Sequence, residues 1–291
     1  MRILNYGSLN IDHVYGVSHL VRPGETIGST SYTRFCGGKG LNQSVALARA
    51  GAEVWHAGKI GAEGKFLKER LLADGVNVDF VEEVDASTGH AVIQVDSNGE
   101  NAIVIHGGAN RAITRSDAER VLADFCPKDW LLLQNEISAT GDVLALAAAR
   151  GMRVAFNPAP FGPEVSDYPL ENVDLFILNE TEGQGLAGRA GADEIADRLL
   201  TRFPNSAIIL TLGSRGALYT DGAGSFEAAA HRVAAVDTTA AGDTFIGFFL
   251  ASYTRGLDVR HCLELACRAA TLCVTRAGAA DAIPTLAEID R

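Results

Sequence analysis

Short apolar runs alternate with amphipathic segments along the whole chain. Ile3–Tyr6 predicts a strand, and Leu41–Ala50 predicts a helix stopped by Gly51. Val54–Ile60 again predicts a strand, followed by a helix over Lys65–Ala73 that ends before Gly75. Further strands are expected at Trp130–Leu133, Val154–Phe156, Leu175–Leu178 and Ala207–Leu212, with helices at Val143–Ala149 and Ala192–Arg202. This β-then-α rhythm predicts an α/β fold, with a mainly parallel sheet covered by helices.

One region breaks the rhythm. His90–Val95 and Asn101–His106 flank Asp96-Ser97-Asn98-Gly99, whose Asn-Gly pair suits a tight hairpin turn. Ala91, Ile93 and Val95 share one strand face at period two. Ile11–Val17 and Thr30–Phe35 predict further strands of this kind. Together they predict a small antiparallel sheet inserted into a single domain spanning residues 1–291, from about 11–17, 30–35 and 90–106.

Composition narrows the possible partners. Asp and Glu number 36 against 25 Lys and Arg, a formal charge of −11. Such a surface repels phosphate backbones, so no nucleic-acid partner is expected. An anionic cofactor would need a local positive site. The five cysteines, Cys36, Cys126, Cys262, Cys267 and Cys273, form no C-x-x-C pair, which fits a reducing compartment and a role in core packing. The first residues, Met1–Tyr6, lack the apolar region of a signal segment, and no run of about 18 apolar residues could span a bilayer. A cytoplasmic protein without a membrane partner is expected.

Four segments could carry chemistry. Asp237-Thr238-Thr239-Ala240-Ala241-Gly242-Asp243-Thr244-Phe245 precedes an apolar helix. Small residues there let the first helical N–H groups approach phosphate oxygens, and Asp243 is placed to take a proton from a hydroxyl. A plain helix cap is the alternative. Gly37-Gly38-Lys39-Gly40-Leu41-Asn42-Gln43 opens another helix, with Lys39 and Asn42 able to bind hydroxyls; otherwise it is a glycine-rich turn. It matches neither the Walker A spacing nor the dinucleotide fingerprint. Asn10 and Asp12, two apart beyond the first strand, suit vicinal hydroxyls if the chain stays extended; a strand-end turn is the alternative. Asn179 and Glu182 lie on one side of a first helical turn, where they could hold hydrated Mg²⁺ or form an acidic helix start.

In this order, and with Pro23-Gly24-Glu25-Thr26 and Thr211-Leu212-Gly213 added, these motifs resemble the ribokinase (PfkB-type) sugar-kinase family over nearly the whole chain. The resemblance implies a doubly wound α/β/α sandwich with a small β-sheet lid, often contributing to a homodimer. It implies ATP and Mg²⁺ as cofactors, and phosphoryl transfer to the primary C5 hydroxyl of ribose. Asp243 would be the base, with Ala240, Ala241 and Gly242 forming an anion hole. Asn10, Asp12, Gly38, Lys39, Asn42 and Glu136 would bind the sugar under the apolar lid residues Ala91, Ile93 and Ile105. Asn179, Thr211 and Gly213 would serve the nucleotide, and Glu182 the magnesium. A monovalent cation such as K⁺ would lie near Asp237, Thr239, Cys273, Gly278 and Ala282.

The family's Gly-x-Asp-x-x-Gly element reads Gly61-Ala62-Glu63-Gly64-Lys65-Phe66, a departure that loosens local assignments there. The rival readings are a kinase of the same family for another sugar, a deoxysugar or a nucleoside, and a non-catalytic sugar sensor. Sugar-phosphate kinases of the superfamily tend to carry Asn-Pro-x-x-Asp where this chain has Asn10-Ile11-Asp12, which favours an unphosphorylated sugar.

Overall fold

Successive residues of a strand point to opposite faces, so a strand apolar throughout must be covered on both. The computed structural model, which describes residues 1–289, satisfies this with one large sheet between two helical layers. Its strands are β1 (Ile3–Tyr6), β4 (Val54–Ile60), β5 (Asn77–Glu83), β8 (Trp130–Leu133), β9 (Arg153–Phe156), β10 (Leu175–Asn179), β11 (Ala207–Thr211), β12 (Ala217–Thr220) and β13 (Ser225–Ala228). The spatial order is β13-β12-β11-β10-β9-β8-β1-β4-β5. From β11 to β5 all neighbours are parallel, while β12 and β13 continue antiparallel.

Ile3, Leu132, Ile177 and Ile209 pack on one face, under α1 (Lys39–Arg49), α2 (Lys65–Ala73), α7 (Ala241–Tyr253) and α8 (Val259–Cys273). Leu4, Leu131, Leu133 and Phe176 pack on the other, under α3 (Arg115–Leu122), α4 (Thr140–Ala149), α5 (Glu180–Ala187) and α6 (Ala192–Arg202). A short α9 (Leu286–Ile289) follows. β5 and β13 escaped the hydrophobic pattern because they are the sheet's edge strands, where charged residues such as Asp79 and Glu227 are tolerated, and β12, though buried, is only four residues long.

β1 pairs with β4 on one side and β8 on the other, so the winding direction reverses there. Ligands of open α/β sheets bind beyond the carboxyl ends of the strands at such a switch point. Beyond those ends lie Ser8 and Asn10 after β1, Gln134 and Glu136 after β8, Asn157 after β9, and Asn179 and Thr211 closing β10 and β11.

The second sheet has the order β3-β2-β6-β7, from β2 (Asn10–Gly16), β3 (Ser31–Gly37), β6 (Gly89–Val95) and β7 (Asn101–His106). β2–β3 and β6–β7 are antiparallel; β2–β6 is parallel. The parallel pairing arises because β2 follows β1 and β6 follows β5, two strands that run in the same direction. Asp12 pairs with Ala91, and Ala91 with Ile105, so these share one face; Val14, Ile93 and Ile103 continue it.

Cys262, Cys267 and Cys273 are buried in α8 as core residues. Cys126 departs from the expected core role and is exposed, in the loop before β8, where its Sγ donates to Asp129. Among the described residues no helix is long and apolar enough to cross a membrane.

α1 and α7 are pressed together at Gly247. A Cβ there would lie 2.7 Å from both the Ala46 carbonyl carbon and the Leu47 nitrogen. Gly247→Val should therefore destabilise the fold by about 3 kcal/mol through overpacking, seen as a lower denaturation midpoint at unchanged slope. An unchanged midpoint would mean that the two helices separate freely.

Candidate active site

The site begins where β1 runs into α1. Gly7 lies against Gly40, where a Cβ on Gly7 would sit 2.6 Å from the Gly40 Cα. This close approach lets Leu41 N donate to Ser8 O at 3.0 Å and Gly40 N to Ser8 Oγ at 3.2 Å. Gly38, at φ 92°, turns the chain so that the Lys39 N–H donates to Glu136 Oε2 at 3.0 Å. Ser8 Oγ donates to the same carboxylate oxygen. Glu136 is thereby tied to both glycine-rich segments.

Asn10 and Asp12 lie on one face of β2. Asn10 Oδ1 accepts from Asn110 Nδ2 at 2.7 Å, and Asn110 Oδ1 accepts from Leu9 N at 3.0 Å. The Asp12 carboxylate covers Gly37, at which a Cβ would stand 2.5 Å from Asp12 Oδ1. Burial, and then the charge of Glu136, push the Asp12 carboxyl up to about 7. Burial also raises Glu136. Lys39 is raised, first by the Asp243 carboxylate and further by Glu136 and Glu182. One ammonium therefore sits among three carboxylates.

α7 starts at Ala240, which caps the helix in a left-handed conformation (φ 59°). Its carbonyl accepts from both Thr244 N and Thr244 Oγ1 at 2.8 Å. Asp243 follows in the first turn, 7% exposed. Asn42 Nδ2 donates to its Oδ2 at 3.0 Å, and Gln43 Nε2 to its Oδ1 at 2.9 Å. The Ala241 N–H donates to Thr238 O at 3.3 Å, whereas those of Ala240, Gly242 and Asp243 have no partner among the described residues. The free amides at this positive helix end are thus those of 240, 242 and 243.

Asp243, Gly242, Lys39, Asn179, Glu182 and Thr211 line a cavity of about 250 Å³. A second, largely apolar cavity of about 530 Å³ is lined by Gly213, Val233, Ala235, Phe245, Ala270 and Val274, and it shares Thr211, Thr238 and Gly242 with the first. Asn10 and Asp12 do not line the smaller cavity. Asp12 lies on the second-sheet face that it shares with Ala91 and Ile105, the latter 57% exposed.

Asn179 caps α5, its Oδ1 accepting from Glu182 N at 2.9 Å; Glu182 returns Oε2 to Asn179 N at 3.0 Å. Asn179 Nδ2 also donates to Glu182 Oε1 at 2.9 Å. Burial raises the Glu182 carboxyl. Among the described residues no three His, Cys, Asp or Glu side chains gather to hold a metal. Glu182, one of two carboxylates lining the smaller cavity among the described residues, suits Mg²⁺, which keeps most of its water shell.

Asp237 joins two segments: Oδ1 accepts from Thr239 N at 2.9 Å and Oδ2 from Gly278 N at 3.0 Å, with Gly278 at φ 102°. The Cys273 thiol, its pKa raised by burial, points to Thr239 O at 3.8 Å. Asp237, Thr239, Cys273 and Gly278 are thus brought together, while the Ala282 N–H is bonded to Ala279 O.

Beneath the site runs a buried set of amides absent from the sequence reading. Gln134 Nε2 donates to Gln43 Oε1 at 2.7 Å, Gln43 Nε2 to Asn157 Oδ1 at 3.2 Å, and Asn157 Nδ2 to Glu182 Oε2 at 3.4 Å. The available signal was a polar residue directly after a buried strand, at Gln134 after β8 and Asn157 after β9. At the departing loop, Glu63 Oε1 accepts from Thr88 N at 2.7 Å, tying the start of α2 to the root of β6.

A model for the pfkB family carbohydrate kinases matches residues 2–286. The chain belongs to this family. It is 36% identical to the ribokinase of Haemophilus influenzae, over 97% of this chain and 95% of the relative. The crystal structure of ribokinase from Cryptococcus neoformans var. grubii serotype A in complex with ADP superposes with a TM-score of 0.88 at 36% identity, covering 99% of this chain and 98% of the other. The Arabidopsis thaliana ribokinase complexed with ribose and ATP gives 0.85 at 30% identity, covering 99% and 96%.

Proposed function

We propose that this kinase transfers the γ-phosphoryl group of ATP to the C5 hydroxyl of ribose, giving ribose 5-phosphate. The observation that carries this is Asp243, buried at a helix start, held by two amide donors and lining a cavity with Lys39. Asp243 takes the proton of the attacking hydroxyl as the phosphorus–oxygen bond forms. The free N–H groups at 240, 242 and 243 face the charge that grows on the phosphoryl oxygens. Asn10, Asp12, Lys39, Asn42 and Glu136 bind the sugar hydroxyls. Ala91, Ile93 and Ile105 cover the ring. The apolar cavity past Gly213 takes the adenine, and Thr211 and Asn179 border the phosphates.

Glu182 is the residue that would hold magnesium, which would supply neutralisation of phosphate charge when bound. The Asp237–Thr239–Gly278 junction, with Cys273, would hold a monovalent cation such as K⁺. The chain works as one domain in the cytoplasm, without nucleic acid or membrane partners. Tyr32, Val92 and Val104 are exposed on the single-layer second sheet, which supports a homodimer formed through that lid.

A coupled ADP-release assay across pentoses, 2-deoxyribose, hexoses and nucleosides, with and without K⁺, tests the substrate. Ribose should give the highest kcat/KM; preference for fructose or adenosine would replace it. The pH dependence tests Asp12. Ionised Asp12 is the form that accepts sugar hydroxyls, so kcat/KM for ribose should rise with pH through about 7. Its folded value lies above the ordinary 3.8, so its contribution to stability is present below that pH and lost as pH rises through about 7. Asp12→Asn should therefore raise Tm at alkaline pH while weakening ribose binding. A flat kcat/KM profile across neutrality would remove this role.

A further inference from the structure

Four buried side chains connect the two ends of the smaller cavity. Gln43 Nε2 divides its two protons between Asp243 Oδ1 at 2.9 Å and Asn157 Oδ1 at 3.2 Å. Gln43 Oε1 accepts from Gln134 Nε2 at 2.7 Å, and Gln134 Nε2 also reaches Asn5 Oδ1 at 2.9 Å. Asn157 Nδ2 donates to Ile177 O at 2.9 Å and, more loosely, to Glu182 Oε2 at 3.4 Å. Gln43, Asn157 and Gln134 are all buried.

The Gln43 amide cannot turn over. A half-turn would set its oxygen against two acceptor oxygens and its NH₂ against another NH₂. Asn42 also faces the carboxylate, and turning it would set its Oδ1 against Asp243 Oδ2, but that Oδ1 has no partner among the described residues and so ties Asn42 to nothing further. Of the two donors on Asp243, Gln43 is the one tied on to further buried amides. A carboxylate's terminal torsion is broad when unheld, whereas the Gln43 amide, with both protons and its oxygen paired, holds one oxygen of Asp243 in a single arrangement.

We propose that Gln43 and Asn157 are positioning residues, an amide bridge that sets the rotation of the Asp243 carboxylate relative to the Glu182 side of the cavity. This rests on Asp243 being the base. Gln43 is fully buried and does not line the cavity, so it acts from behind the carboxylate.

Gln43→Met keeps the side chain's length and removes the amide. It should lower kcat about 10²-fold, the loss expected from a reacting group displaced by about 1 Å. The ribose KM should stay within about twofold, as for an interaction felt only in the transition state. In an Asp243→Asn background the same substitution should change kcat less than about twofold, because nothing remains to be oriented. Equal fold-losses in both backgrounds, as a merely structural residue gives, would overturn the proposal, and so would wild-type kcat in the single variant. Asn157→Leu, expected to show the same non-additivity, decides the matter if thermal melting shows that Gln43→Met does not fold. Wild-type turnover by Asp243→Asn alone would remove the base and this inference with it. Additive losses would remove only the inference.

Discussion

Asp243→Asn should lower kcat by about 10²–10⁴-fold, the range for loss of a general base, while ribose still binds. The replacement has the same shape but offers one oxygen and one NH₂ to two donors. The fixed Gln43 amide takes the oxygen. The Asn42 amide, whose Oδ1 is unpartnered, reverses to accept from the new NH₂. The fold thus accommodates the change, and calorimetric ribose binding should stay near that of the parent. Turnover within tenfold of the parent would show that the proton leaves by another route.

Lys39→Met should lower kcat/KM by about 10²–10³-fold, the loss typical of removing one preorganised electrostatic donor. Among the described residues, Lys39 is the only cation lining the cavity that holds Asp243 and Glu182. Its pKa is raised, first by Asp243, so it remains charged at any working pH. Without it, the carboxylates of Asp243, Glu136 and Glu182 face the terminal phosphate with no protein charge to offset them, in a partly buried setting where such terms are strong. Both substrates should suffer: ribose through a lost hydroxyl contact and ATP through repulsion. Raised Mg²⁺ should restore part of the ATP effect and none of the ribose effect. A loss under fivefold would place Lys39 outside the chemistry.

Much of this architecture was legible residue by residue. β1, β4, β7, β8, α2 and α6 have the bounds that their apolar pattern and flanking glycines dictate. Asn179 and Glu182 read as a helix start because capping is a contact across three residues. The left-handed Ala240 was less visible, since alanine carries no mark of positive φ. Nor could the motif alone tell that the Ala241 amide is bonded to Thr238, leaving those of 240, 242 and 243 free.

By itself the chain's pattern determined the strands, the helices, the hairpin at Asn98-Gly99 and the glycine-rich segments that enter α1 and α7. These depend on periodicity and backbone freedom within about ten residues. Only the tertiary structure decided that Gln43 and Asn42 hold a carboxylate about two hundred positions away, that Asn157 bridges it to Glu182, and that β2 and β6 run parallel. Buried polar groups must find partners, but which partner lies in reach is set by how the sheet brings the ends of β1, β8, β9 and β10 together. No local preference encodes that distance.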